Sequence, residues 1–504
     1  MLSQRKALCS ARAHTPSSLS LLGEKRQLTG LIPSAVFPSQ QPTLSPWSVK
    51  HAQRRSTSAL PPTRVRGCGL PSHVAHSSAS PAATPAPRSD VADYLQLWAG
   101  LAALYGVDVA LKTALLAQGI KFPGPLVGMF GVVAALLVVG EKSAAAILDW
   151  FGPCLNWIAK WLPLFYVASL VTLPLNLSGI AGDQLLKIVI ILCGGMVATL
   201  LFTAQTAVAI RALVKTENKE VSKAKAASPY LAAHWVAWGG LAIASLAATL
   251  ADPAGLGPQM ALPFNLSATL LGFLLGNAMP KAVQAVLHPV VMTALAANAG
   301  AWLHGRIMGI SYAAAQKVYY SKGAGAMGAG DLLMSFLGVV IISMGFRIYQ
   351  QRDTMRRHAP EILGATFLSS LFSFFSTAFA ARGLGLQTDL ALALIPRSVT
   401  VALALPIGAQ FEAPAAITAA AVLLQGMLGA NFGPSLMSAL GIRDTIARGL
   451  AAAGTAGGLG TASLTSKEPE ALPFCALSYS MVGIISTFLA TVPAVRQVLI
   501  GIIA

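Results

Sequence analysis

The sequence predicts an all-α polytopic membrane protein with about twelve transmembrane helices, several of them broken in the C-terminal half. Three observations carry this. Hydrophobic residues make up 55% of the 504-residue chain and charged residues 11%, a balance that a soluble domain does not have. A helix needs about 20 apolar residues to cross a bilayer, and such runs recur from residue 93 to the end. Several later runs are interrupted by Pro, Gly or Arg, and membranes tolerate irregular backbone only where protein or water covers it.

The first 88 residues differ from the rest. They are rich in Ser, Pro, Arg and Ala, and hold eleven Lys/Arg against one acid, Glu24, so +10 of the net +17 lies there. The one short apolar run, LSLLG at 19–23, is too brief for a secretory signal. Residues 1–88 therefore read as a disordered organellar transit peptide, with VRGC at 65–68 resembling a processing site. The remaining +7 is spread over loops, as the positive-inside rule places it, so a nucleic-acid partner has little support. Cys9, Cys68, Cys154, Cys193 and Cys475 form no C-x-x-C pair, and neither a disulfide framework nor a metal site is implied.

The apolar segments run at 93–117, 122–140, 161–178, 185–213, 231–251, 263–279, 289–310, 331–349, 361–382, 389–411, 414–440, 446–463 and 472–503, the last bending at Pro493. One polar stretch, VKTENKEVSKAKAASPY at 214–230, divides a four-helix unit, 89–213, from a larger unit, 231–504. A basic cluster, QQRDTMRRH at 350–358, falls four crossings later and so faces the same side as that linker. A third, GIRDTIAR at 441–448, keeps this parity only if 389–411 fails to cross fully.

Enzyme chemistry has nothing to stand on. No Ser/His/Asp set and no H-E-x-x-H is present. GAGAMGAG at 323–330 formally contains G-x-G-x-x-G, but without a preceding strand it reads as a loop. Asp108 and Lys112 stand four apart in the first span, where they can neutralise each other on one helix face.

Two interrupted segments point to transport. In LIPRSVTVALALP, 394–406, Pro396 breaks the helix and Arg397 sits in an apolar run beside Ser398 and Thr400. A central arginine costs about 2.5–3.5 kcal/mol unless it faces water, a partner or an anion. An interfacial helix end, with Arg397 reaching the headgroups, is equally open from spacing alone. In GTAGGLGTASLTSKEPEALPF, 454–474, four glycines fall within seven residues. Gly457, Gly458 and Gly460 would bring bare backbone to a ligand, with the hydroxyls of Thr455 and Thr461 beside it; close helix packing is the alternative. Two broken helices in one region mark a carrier, because half-helix N-termini suit a carboxylate. Asn431, alone in LLQGMLGANFGPSL, either binds substrate or bridges helices. SFLGVVIISMGF in the 331–349 segment faintly echoes ALIPRSVTVALAL in 389–411, as the two halves of an inverted repeat would.

The run ALIPRSVTVALALPIGAQFEAPAAITAAAVLLQGMLGANFGPSL, then RDTIARGLAAAGTAGGLGTA, resembles the LrgB/CidB family, as does HPVVMTALAANAG at 288–300. FPGPLVGM, 122–129, resembles the partner family LrgA/CidA. Both in one chain behind a transit peptide are similar to the plastid fusion family of plants and algae, which SKEPEALPFCALSYSMVGI and VPAVRQ also match. The resemblance implies a chloroplast inner-envelope carrier that exports glycolate and admits glycerate in photorespiration, by exchange or with protons. It implies no cofactor and leaves a homo-oligomer open. A holin-like pore or cell-death regulator, and a carrier of pyruvate or lactate, are the alternatives. Family members usually carry a histidine before the GLGTA-type run, where this chain has Gly457; His288 and His304 are then the candidates for proton coupling.

Overall fold

The computed structural model describes residues 90–119, 122–214, 230–323 and 325–504. The expected transit peptide and residues 215–229 of the expected linker lie outside them. The described residues fall within one compact unit. Its first helices are α1 (Asp90–Ala117), α2 (Gly124–Val138), α3 (Glu141–Trp161), α4 (Val167–Val171), α5 (Leu173–Leu177) and α6 (Gly182–Val214). After the linker come α7 (Ala232–Ala251), α8 (Gly257–Ala278), α9 (Lys281–Val286), α10 (Pro289–Ile307), α11 (Tyr312–Tyr319), α12 (Ala329–Ser335), α13 (Leu337–Gln350), α14 (Arg352–Arg357) and α15 (Ala359–Leu384). The last are α16 (Thr388–Leu394), α17 (Val401–Gln410), α18 (Ala415–Ala439), α19 (Thr445–Ala456), α20 (Gly458–Lys467), α21 (Leu472–Thr491) and α22 (Pro493–Ile503). Among the described residues, nine helices are long and apolar enough to cross a membrane, and α2, α17 and α22 are shorter apolar helices.

Local chemistry sets the boundaries. α15 begins with Pro360 in its first turn, where a missing N–H costs nothing, and stops at Gly385. That glycine is left-handed at φ +62°, and Leu386 N–H then closes onto Ala381 O at 2.9 Å. α21 ends at Val492 and α22 starts at Pro493, the bend expected there.

One expected span needs correction. The segment 161–178 is not a helix of its own: a 3-10 turn at Leu162–Tyr166, then α4 and α5, continue α3 into one 37-residue stretch. Sequence reading passed over α3 because Glu141, Lys142, Asp149 and Lys160 interrupt its hydropathy, and Pro163 and Pro174 shorten the turns that follow. The segment 331–349 is a span as expected, Ala329–Gln350, with a single helical turn residue, Phe336, between α12 and α13. The GAGAMGAG loop before it is tied down by Asp331, whose carboxylate accepts from Ser321 N, Lys322 N and Gly328 N at 2.8–3.0 Å.

Helices from both sides of the linker share one core. α6 packs against α15, α18 and α19, while α2 and α1 pack against α13. In α1 the Asp108–Lys112 pair closes at 2.6 Å, and Asp108, 1% exposed, rests on Gly338 where α13 begins. Close helix approach uses small residues: Gly272 and Gly276 of α8 meet Ala296 and Pro289 of α10. The pieces echoed in sequence also share a plan. α12 and α16 are each seven residues long and each leads into a second helix, α12 through the single residue Phe336 and α16 through residues 395–400. α13 and α17 then run in opposite senses, because one cavity holds Arg347 of α13 with Val401 of α17, and another holds Leu337 with Gln410.

Candidate functional site

The two broken segments meet. Pro396 has no N–H, and residues 395–400 pass from α16 to α17 through tight turns, with Arg397 N on Leu394 O and Val399 N on Pro396 O, both at 3.0 Å. Thr400 then adopts an extended conformation as the N-cap of α17. The second break is a single residue. Gly457 sits at φ +53°, ψ −134°, a conformation that side chains resist, and it separates α19 from α20. A Cβ on Gly457 would stand 3.3 Å from Thr400 N, and one on Gly458 3.5 Å from Thr400 Oγ1. Neither α17 nor α20 has a side-chain cap, so two half-helix N-termini come together with their positive dipole ends.

A cavity of about 600 Å³ adjoins this junction. Of the residues singled out from sequence, Thr400, Asn431, Gly458, Thr461 and His288 line it. Thr461 donates to Gly458 O at 2.6 Å, and Ser463 to Ala430 O at 2.6 Å, which ties α20 to α18. His288 accepts from Val290 N at 3.3 Å and so caps α10 from the cavity edge.

The others lie behind the wall. Arg397 is 1% exposed and donates from Nε to Thr377 Oγ1 (2.7 Å), from Nη1 to Gln425 Oε1 (2.8 Å) and from Nη2 to Thr199 Oγ1 (3.2 Å). All three acceptors are neutral and fully buried. Gly195 of α6 covers the guanidinium: a Cβ there would meet Cζ at 2.5 Å. Ser398 pairs with Ser373 at 2.7 Å, and Thr455 donates to Ala451 O at 2.6 Å within its own helix. Gly460 packs on Ala452 O, where a Cβ would stand at 2.9 Å. His304 is far from this work: its Nε2 meets Gly257 O at 3.1 Å and its ring stacks on Phe264. Arg397 thus reaches neither headgroups nor the cavity surface, and its guanidinium braces the break from inside.

Sequence reading missed much of the wall. Arg347 and Met344 of α13, Tyr479 of α21, Asn277 of α8, Gln284 of α9 and Tyr166 all line the cavity. The signal at Arg347 was an arginine closing an apolar run, LGVVIISMGFR, in the segment that echoes the Arg397 one. Arg347 Nη1 approaches Tyr479 OH at 3.4 Å. Among the described residues, no cluster of His, Cys, Asp or Glu could hold a metal ion.

The profile of the LrgB-like family matches residues 269–495. The chain is 41% identical to the plastidal glycolate/glycerate translocator 1, chloroplastic, of Arabidopsis thaliana over 413 residues, 81% of each chain. It is 29% identical to the antiholin-like protein LrgB of Bacillus cereus over 159 residues, 31% of this chain and 68% of that one. It is also 25% identical to the uncharacterized protein YxaC of Bacillus subtilis over 175 residues, 35% of this chain and 76% of that one. No solved structure matches it. The profile match, and identity that extends across both sides of residues 215–229, place the chain in the LrgB-like family of membrane proteins, with the plastidal glycolate/glycerate translocator among its relatives.

Proposed function

We propose that this protein is a carrier in the plastid inner envelope that exports glycolate and admits glycerate, by exchange or with protons, and that it is no enzyme. One observation carries the reading: the half-helix N-termini of α17 and α20 converge beside a 600 Å³ cavity lined by hydroxyls, amides and an arginine. Helix N-termini favour anions, and the cavity is larger than a two- or three-carbon hydroxy acid needs. The name of the Arabidopsis relative supports the substrate pair and the plastid. Four sequence-predicted residues, Thr400, Asn431, Gly458 and Thr461, are proposed to contact substrate, with Gly457 and Gly460 shaping the junction. Arg397, Ser398 and Thr455 are proposed to hold it from behind. His288 stands at the cavity and is kept for proton coupling; His304 is not. The N-terminal unit, 89–213, contributes Tyr166 to the wall and Thr199 to Arg397, so it is proposed as part of the carrier.

The test is counterflow in liposomes. Uptake of labelled glycolate should saturate and be accelerated by unlabelled glycerate inside. The antiholin-like relatives favour a second reading, a holin-like pore or regulator. A pore would leak glycolate without trans-stimulation, and that result would displace the carrier. Pyruvate or lactate outcompeting glycolate would move the assignment to another short monocarboxylate.

A further inference from the structure

We infer that Arg347 is the anion anchor of the cavity and that its single charge restricts the ligand to monocarboxylates; this rests on the carrier reading above. Among the described residues, no other lysine, arginine or acid lines the cavity. Four other arginines spend their charge within the protein. Arg211 pairs with Asp444 at 2.7 Å, Arg352 with Glu141 at 3.0 Å, and Arg448 with Glu468. Arg397 spends its donors on three neutral groups. Among the described residues Arg347 has one hydrogen bond, the 3.4 Å contact with Tyr479 OH, and no carboxylate within ion-pair distance. A guanidinium carries five donors in a planar fork that matches a carboxylate. The Tyr479 hydroxyl beside it can donate to the same ligand.

Position supports this. Arg347 lies in the last turn of α13, and the same cavity takes in the first residues of α17 and α20. A carboxylate held there gains the guanidinium and the helix N-termini together. A second carboxylate on the same ligand would find no second cation among the described lining residues and would be buried unpaired, which is costly. The side-chain oxygen of Asn277, whose Nδ2 donates to Phe273 O at 2.8 Å, and the hydroxyls of Thr400 and Tyr479 face the same cavity and can meet the substrate hydroxyl. The competing account is that Arg347 only complements the dipole at the end of α13. That role would move stability and leave substrate affinity alone.

The experiment uses the full chain in proteoliposomes, with glycolate counterflow, KM and unfolding temperature read for wild type, Arg347→Lys and Arg347→Gln. Arg347→Gln should lose about 100-fold in Vmax/KM at an unchanged unfolding temperature. Arg347→Lys should keep exchange with KM raised about tenfold, since it keeps the charge and loses the fork. In wild type, malonate and the uncharged glycolamide should compete far more weakly than lactate or glycerate, an arm that needs no variant. A wild-type KM in Arg347→Gln, or malonate competing as well as lactate, overturns the anchor while the carrier stands. Absence of trans-stimulation in wild type removes the carrier reading, and the anchor with it.

Discussion

Arg397 and Arg347 lie fifty residues apart in segments that echo each other, and the fold gives them opposite surroundings. Arg397 is sealed by Thr199, Thr377 and Gln425 behind the 395–400 break, with Gly195 pressed against it. Arg347 stands at a cavity with a single long contact to Tyr479. A charge inside a membrane protein must be satisfied by something. Where the protein supplies every acceptor, the charge fixes architecture; where it supplies few, the charge is available to a ligand. The residue type is the same, and the neighbours decide its use.

The largest effect should follow from emptying the sealed site. Arg397→Ala deletes three charge-assisted hydrogen bonds and strands buried hydroxyl and amide groups, at a cost of about 3 kcal/mol or more. Thermal unfolding in detergent should show it as a large drop in midpoint, with transport lost because the break collapses. An unchanged midpoint with lost transport would instead put Arg397 in direct substrate contact.

Gly195→Ala probes the seal without touching the charge. Its Cβ would fall 2.5 Å from the guanidinium carbon, so the side chain must shift, at about 1–3 kcal/mol. A midpoint equal to wild type would mean that the pocket around Arg397 is looser than the structure has it.

Gly457→Ala acts at the junction. The residue holds φ +53° against Thr400, and a side chain there costs about 1–2 kcal/mol. Counterflow should fall more than stability does, because α20 must turn away from Thr400 to relieve the strain. Equal loss in both would argue that the junction is only packing.

Ser398→Ala should be the mildest. It removes the 2.7 Å bond with Ser373, worth about 1 kcal/mol, and leaves the cavity wall intact. KM for glycolate should hold; a clear rise would place Ser398 at the substrate after all.

Breaks were more legible than contacts. Pro396 and the glycines of 454–460 announced their interruptions because proline lacks a donor and glycine a Cβ, properties that hold in any fold. The Pro493 bend was legible for the same reason. The contact of Asp108 with Gly338 carried no such sign, because it joins α1 to α13 across more than two hundred residues. α3 was hidden because one face is charged and the average over its length conceals the other.

By itself the sequence determined an all-helical membrane chain, the positions of its two main interruptions and a stretch rich in glycine and hydroxyls beside one of them. These follow from local properties, namely run length, missing donors and missing side chains. Only the tertiary structure decided which arginine meets the cavity and which is walled in. That choice depends on Thr199, 198 residues before Arg397, and on Tyr479, 132 residues after Arg347. Partners so distant leave no periodic trace along the chain, because burial and pairing are properties of helices packed together and not of any one of them.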